Sequence, residues 1–248
     1  MSDSVTWVGH ATVRLELAAT TLLTDPLLRG RFLHVRRHAA KPAPGTLSDV
    51  DGVLVSHLHP DHLDFASIRA LSRETELIVP AGGGRMLRRR GFGRVTELRP
   101  GETTRVGSVE VVATPAAHDG RRYPLGPRVE ALGFDLRAPA SRVYFAGDTD
   151  LFEEMGRLAG GVDLALLPIG GWGPRLGAGH LDPRRAAQAA AMIRPRIVVP
   201  IHWGTYLRAG LGSGRLGDAP RELVAQLAEL APDVQARVLS PGGSLALG

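Results

Sequence analysis

One early stretch leaves few options for the fold around it. Ser56-His57-Leu58-His59-Pro60-Asp61-His62-Leu63-Asp64 places three imidazoles and one free carboxylate within six residues. Directly before it, Gly52-Val53-Leu54-Val55 reads as a short buried strand, apolar and β-branched between polar ends. Directly after it, Phe65 to Leu71 has helical spacing, with Asp64 placed to cap the first turn. The chain must therefore bring a strand out of a sheet and turn its end into a crowded polar loop. Imidazole and carboxylate suit zinc, iron or manganese. A surface turn accounts for a lone histidine, but three with an aspartate at this spacing read as a metal site.

The rest of the chain alternates strands and helices. Residues 11–17 alternate as a half-buried strand, and Thr20 to Leu23 returns as its hairpin partner, closed by Asp25-Pro26. A long Pro-, Gly- and Arg-containing loop covers 27–48, and loops of this length are often functional. Then come a helix near 64–72, strand 77–79, a helix near 83–90, strand 95–98, and a hairpin of 103–106 with 109–113. After a loop at 119–128, the pattern predicts strands at 130–136 and 142–146, a helix near 150–159 and a strand at 163–167. Beyond a Gly-rich loop at 170–179, Asp182-Pro183 starts an Ala-rich helix ending near Ile193. Strand 197–199, a helix near 220–230 and a strand near 235–239 complete the order.

Composition narrows the chemistry. Cysteine is absent, so disulfides and thiolate ligands are excluded and any metal must be held by nitrogen and oxygen. At 248 residues with 44% apolar content, the chain can bury one large core, and a single domain over 1–248 is expected. No apolar run approaches a membrane span, and Met1-Ser2-Asp3-Ser4 has no signal-peptide character, so a cytoplasmic protein is expected. The net charge of +5 raises nucleic acid as a partner, but Lys41 is the only lysine and the arginines read as solvated faces. No specific nucleic acid partner is expected. The sequence does not set the oligomeric state.

The histidines are not scattered. His118 stands five residues past the strand 109–113, His202 three past 197–199, and Asp148 follows the strand Val143-Tyr144-Phe145. Ligands delivered from several strand ends onto one sheet edge are what a metal site requires.

These motifs resemble the metallo-β-lactamase superfamily of metal-dependent hydrolases. The blocks Trp7 to Val13, Leu23 to Pro26, Ser56 to Asp64, Phe145 to Thr149, Pro168 to Gly170, His180 to Pro183 and Ile201 to Thr205 are similar to one branch, the N-acyl phosphatidylethanolamine phospholipase D-like proteins. The resemblance implies a four-layer αββα sandwich of two mixed sheets with outer helices. It also implies two divalent ions, zinc first, with manganese or iron as alternatives. His57, His59 and His118 would hold one ion, Asp61, His62 and His202 the other, and Asp148 would bridge them. Such a site keeps a net positive charge and favours a small anionic substrate.

Asp61 and His180 are the candidates for direct catalytic roles, His180 as leaving-group acid or phosphate contact. His10 and Asp25 are expected behind the ligands, since a metal-bound imidazole needs a partner on its other nitrogen. Arg121 and Arg122 are expected to receive the substrate's anionic group, with loops 27–41 and 119–128 at the mouth of the site. The expected reaction is hydrolysis of a phosphodiester or similar small anionic ester by a metal-bridging hydroxide. The alternatives are a lactonase acting on a phosphorylated lactone, an iron-dependent redox enzyme and a nucleic-acid binder.

Overall fold

The computed structural model describes residues 2–123, 126, 128–171, 177–208 and 218–248. The first strands are β1 (Ser4–Gly9), β2 (Thr12–Leu17), β3 (Thr20–Thr24), β4 (Arg31–Phe32), β5 (Val35–Arg37), β6 (Gly52–Leu54), β7 (Glu76–Pro80) and β8 (Val95–Leu98). They are followed by β9 (Thr103–Val106), β10 (Val109–Asp119), β11 (Glu130–Arg137), β12 (Arg142–Phe145), β13 (Leu164–Pro168), β14 (Ile197–Ile201), β15 (Tyr206–Arg208), β16 (Gln235–Ala236) and β17 (Ser244–Ala246). The helices are α1 (Phe65–Ile68), α2 (Gly84–Arg88), α3 (Pro183–Ile193) and α4 (Asp218–Leu230).

Two seven-stranded sheets, ordered β17-β1-β2-β3-β6-β7-β8 and β16-β14-β13-β12-β11-β10-β9, face each other. Alternation along each strand shows why. In β12, Val143 and Phe145 enter the core between the sheets, while Tyr144 faces the helices. In β7, Ile78 points inward, while Leu77 and Val79 point to the opposite layer with Ile68 and Leu87. Period-2 side chains thus give each sheet two apolar faces, one for the other sheet and one for helices. The result is the four-layer αββα sandwich. Each buried Val, Leu, Ile or Phe contributes about 1.5–3 kcal/mol, and this core carries the strained loops at its edge.

Parallel pairing fixes that edge. β3, β6, β7 and β8 run parallel, as do β12, β13, β14 and β16. Parallel strands present all their C-terminal ends on one side, where ligand sites of open sheets form. Thr24 lies opposite Leu54, so Asp25 and Ser56 emerge side by side. Pro168 lies opposite Ile201, which brings Gly170 alongside His202.

Several elements differ from expectation. Strands β1 and β17 were not anticipated, and they close one end of the first sheet. The long loop 27–48 contains β4 and β5, which pair with β15 in a three-stranded sheet over Leu27, Phe32, Val35 and Tyr206. The helix near 64–72 is only the single turn of α1, although Asp64 does cap it, accepting from Ser67 N. The segment near 150–159 is a 3-10 turn, Glu153–Leu158. The strand near 235–239 is only Gln235–Ala236. Part of loop 119–128 and of the Gly-rich loop 170–179 lies outside the described residues.

Candidate metal centre

The expected ligands converge, and they do so as two groups. His57 Nε2 lies 2.8 Å from His59 Nδ1, which is 3.2 Å from His118 Nε2. In the second group, His62 Nε2 is 3.2 Å from His202 Nε2 and 3.5 Å from Asp61 Oδ2. Asp148 Oδ2 stands 3.2 Å from His62 Nε2, 3.3 Å from His202 Nε2 and 3.4 Å from His180 Nε2. Gly147 makes this approach possible: its φ is +62°, and a Cβ there would meet Ser56 Cβ at 2.5 Å.

The far side of each imidazole is tied down. His118 Nδ1 donates to Gly179 O at 2.8 Å and His202 Nδ1 to Gly170 O at 2.7 Å. With Nδ1 protonated, Nε2 of each neutral ring presents a lone pair to the centre. His62 Nδ1 donates to Asp25 Oδ2 at 2.7 Å. Ser56 Oγ donates to the same oxygen at 2.5 Å and lies 2.9 Å from His57 Nδ1. One buried carboxylate therefore orients a histidine of each group. His10 Nε2 is 3.0 Å from Asp61 Oδ2, and Thr205 Oγ1 holds the His10 backbone N–H at 2.6 Å.

Charge follows geometry. Burial pushes His59 down to about 4 and His202 to about 3, and drives His57 well below the usual imidazole range. Neutral rings are the ligand form. Burial alone would also depress His62, yet the carboxylates of Asp148, Asp61 and Asp25 hold it well above its ordinary value. Burial opposes ionisation of Asp61 and Asp148, but neighbouring histidines keep both well below the usual carboxylate range. With both carboxylates ionised, the second group concentrates negative charge suited to a cation.

The donor set fits metal ions. Ligand atoms around a tetrahedral ion with bonds of ~2.0–2.1 Å sit roughly 3.3 Å apart, close to the spacings in both groups. Asp148 Oδ1 is buried and has no hydrogen-bond partner. Such an atom costs about 1–3 kcal/mol when unsatisfied, a cost that a cation removes.

Three of these residues hold left-handed backbone, His10 at φ 55°, Asp25 at φ 33° and His202 at φ 63°. His202 N donates to His10 O at 2.9 Å, so two of them brace each other. His180 is half-buried, with Nδ1 within 3.1 Å of Gly177 O and its ring 4.8 Å from that of His118.

The two arginines sit differently from expectation. Arg121 pairs with Asp119. Arg122 Nη1 donates to Leu58 O at 3.1 Å and Leu63 O at 2.9 Å, so that nitrogen is turned onto the metal loop. Loop 27–41 reaches the same loop through Arg29, which pairs with Asp64 at 2.8 Å. Sequence reasoning missed Ser56 as a link between Asp25 and His57, and the carbonyls of Gly170 and Gly179. Ser56 was visible inside the motif; backbone acceptors carry no side-chain signal.

The fold and the donor set define a metal-dependent hydrolase of the two-sheet type. A family model described as Beta-lactamase superfamily domain matches residues 20–203, and the chain belongs to that superfamily. It is 30% identical over 256 residues to the N-acyl-phosphatidylethanolamine-hydrolyzing phospholipase D 1 of Caenorhabditis elegans, covering 93% of this chain and 71% of that protein. It is 32% identical over 246 residues to a UPF0173 metal-dependent hydrolase of Caldivirga maquilingensis, covering 97% and 96%. The chain spans 59% of the length of Mycobacterium tuberculosis relatives that it matches at 32% identity. Among solved structures, Igni18, a metallo hydrolase from Ignicoccus hospitalis, superposes with a TM-score of 0.77 at 24% identity, covering 100% of this chain and 99% of that one. Among the described residues, no helix is long and apolar enough to cross a membrane.

Proposed function

We propose that this hydrolase holds two divalent ions and cleaves a phosphodiester or similar small anionic ester. The observation that carries the reading is Asp148. Its Oδ2 faces His62 and His202 of one group and its Oδ1 is a buried atom without a partner, the arrangement of a bridging carboxylate. His57, His59 and His118 would hold one ion, and Asp61, His62 and His202 the other. Zinc suits the nitrogen and oxygen donors, with manganese or iron as alternatives. Bound ions supply Lewis-acid activation of water and of the substrate's oxygen. The cleavage named for the nematode relative supports the phosphodiester class.

The protein's own residues supply the rest. Asp25 and Ser56 fix the rings of His62 and His57, and His10 fixes Asp61. His180, its Nδ1 turned to the carbonyls of Gly177 and Ala178, presents Nε2 to the site. Because Nδ1 donates to a carbonyl, Nε2 carries an N–H only in the imidazolium form, which burial opposes but Asp148 favours, holding His180 above its ordinary value. In that form it would protonate a leaving oxygen or donate to a substrate oxygen.

His180→Ala should keep both metals yet slow hydrolysis of alkyl phosphodiesters by about 10²–10⁴-fold, the range of general acid catalysis. Aryl substrates, whose leaving groups need little protonation, should lose much less. Metal analysis with rates on a panel of phosphodiesters, phospholipids and lactones tests this. Metal loss in His180→Ala would make it a ligand or its support. Turnover of lactones alone would replace the phosphodiester reading.

A further inference from the structure

We propose that Arg122 is a positioning residue that sets the spacing of the metal loop, and hence of both half-sites at once. The inference rests on the metal-site reading above. One nitrogen, Nη1, donates to the carbonyls of Leu58 and Leu63, the residues bracketing His59, Asp61 and His62. Both of its hydrogens are used, so the two ends of the loop close on a single atom. Inside that closure, His59 faces the first group, and Asp61 and His62 face the second.

The segment carrying Arg122 is joined to the loop at alternate residues. His118 Nε2 lies 3.2 Å from His59 Nδ1, Leu58 N donates to Gly120 O at 3.0 Å, and Arg122 supplies the staple. Gly120 also lies tight against the start of β11, because a Cβ there would meet Val129 O at 2.4 Å. The guanidinium is itself held. Its carbon lies 4.4 Å from the Phe65 ring centroid, and that of Arg90 lies 3.7 Å from the same centroid. Both guanidinium groups therefore bear on the Phe65 ring. That ring is the platform against which the staple bears. Lysine can donate to two carbonyls but has no plane to stack on Phe65.

Outer contacts of this kind typically change metal affinity by about 10–100-fold. The test is cobalt(II) uptake by chelator-stripped protein, followed by visible absorption and chelator competition, in wild type, Arg122→Met, Arg122→Lys and Phe65→Leu. Arg122→Met keeps the side-chain length without the donors. It should weaken both cobalt sites within that range, alter the cobalt spectrum, and lower kcat more than KM is raised. Arg122→Lys should recover most of the affinity, and Phe65→Leu should fall between. Should Arg122→Met fold poorly, the spectra of Arg122→Lys and Phe65→Leu decide the matter. Wild-type cobalt spectrum and affinity in Arg122→Met, with KM alone raised, would make Arg122 a substrate contact and overturn the staple. A wild-type chain that takes up no cobalt would overturn the metal-site reading and the staple with it.

Discussion

The two halves of the site solve different problems. The group of His57, His59 and His118 has no carboxylate of its own, and two of its three members are half-buried. The group of His10, Asp61, His62 and His202 is buried throughout and includes a carboxylate, with Asp25 a second one behind His62. Taking a charge out of water costs several kcal/mol per ion unless it is paired, so the second half has already met the desolvation cost that a cation then offsets. The first half offers neutral rings near solvent. The difference is one of electrostatic preparation: the second half is set up for a cation by its buried carboxylates, and the first is the more open to solvent.

Asp148→Asn should have the largest effect, since on the proposed reading Asp148 serves both halves. Hydrolysis should fall to background, with at most one ion retained by metal analysis. Retention of two ions and measurable turnover would refute a bridging role. Next comes the contrast between His62→Ala and His59→Ala. Losing His62 strands the buried Asp25 carboxylate, and breaking such a pair costs about 3–5 kcal/mol. His59→Ala should remove an ion but leave stability nearly unchanged, because its ring is partly exposed. Urea unfolding of the two metal-free variants measures the difference; equal stabilities would erase the distinction between the halves.

Asp25→Asn should cost about 10–100-fold in metal affinity, the usual range for partners behind a ligand. The smallest effect is a proton count. Carboxylates hold His62 above its ordinary value, so the metal-free chain keeps a proton there at neutral pH that an ion must displace. Loading the second half should release about one proton, and affinity should fall as pH is lowered. Calorimetry in buffers of differing ionisation enthalpy measures it, and metal uptake with no proton release would contradict the charged His62.

The donors were legible because their chemistry recurs at one kind of place. His57, Asp148 and His202 each stand just past an apolar β-branched or aromatic run, and parallel pairing collects such strand ends on one edge. The small sheet of β4, β5 and β15 was not legible, since two or three residues show no period. β10 was cut short in the reading at Ala113, before Pro115. The strand continues to Asp119; β9 pairs only as far as Val112, leaving Pro115 paired on the β11 side alone, where proline is tolerated. Arg122 was read correctly as lying near the site, but its charge suggested an anion. Only the fold reveals that two backbone carbonyls already occupy its Nη1.

The left-handed backbone at His10, Asp25 and His202 has a consequence for how such a protein can change. Glycine would adopt those angles without strain, yet at Asp25 it would leave the buried His62 and Ser56 without their partner, and stranding such a group costs more than the backbone relief returns. The same contacts that orient the centre therefore hold the strained backbone in place. Chemistry and fold share their supports at these three positions, so a change at any of them should be felt in stability as well as in the metal centre.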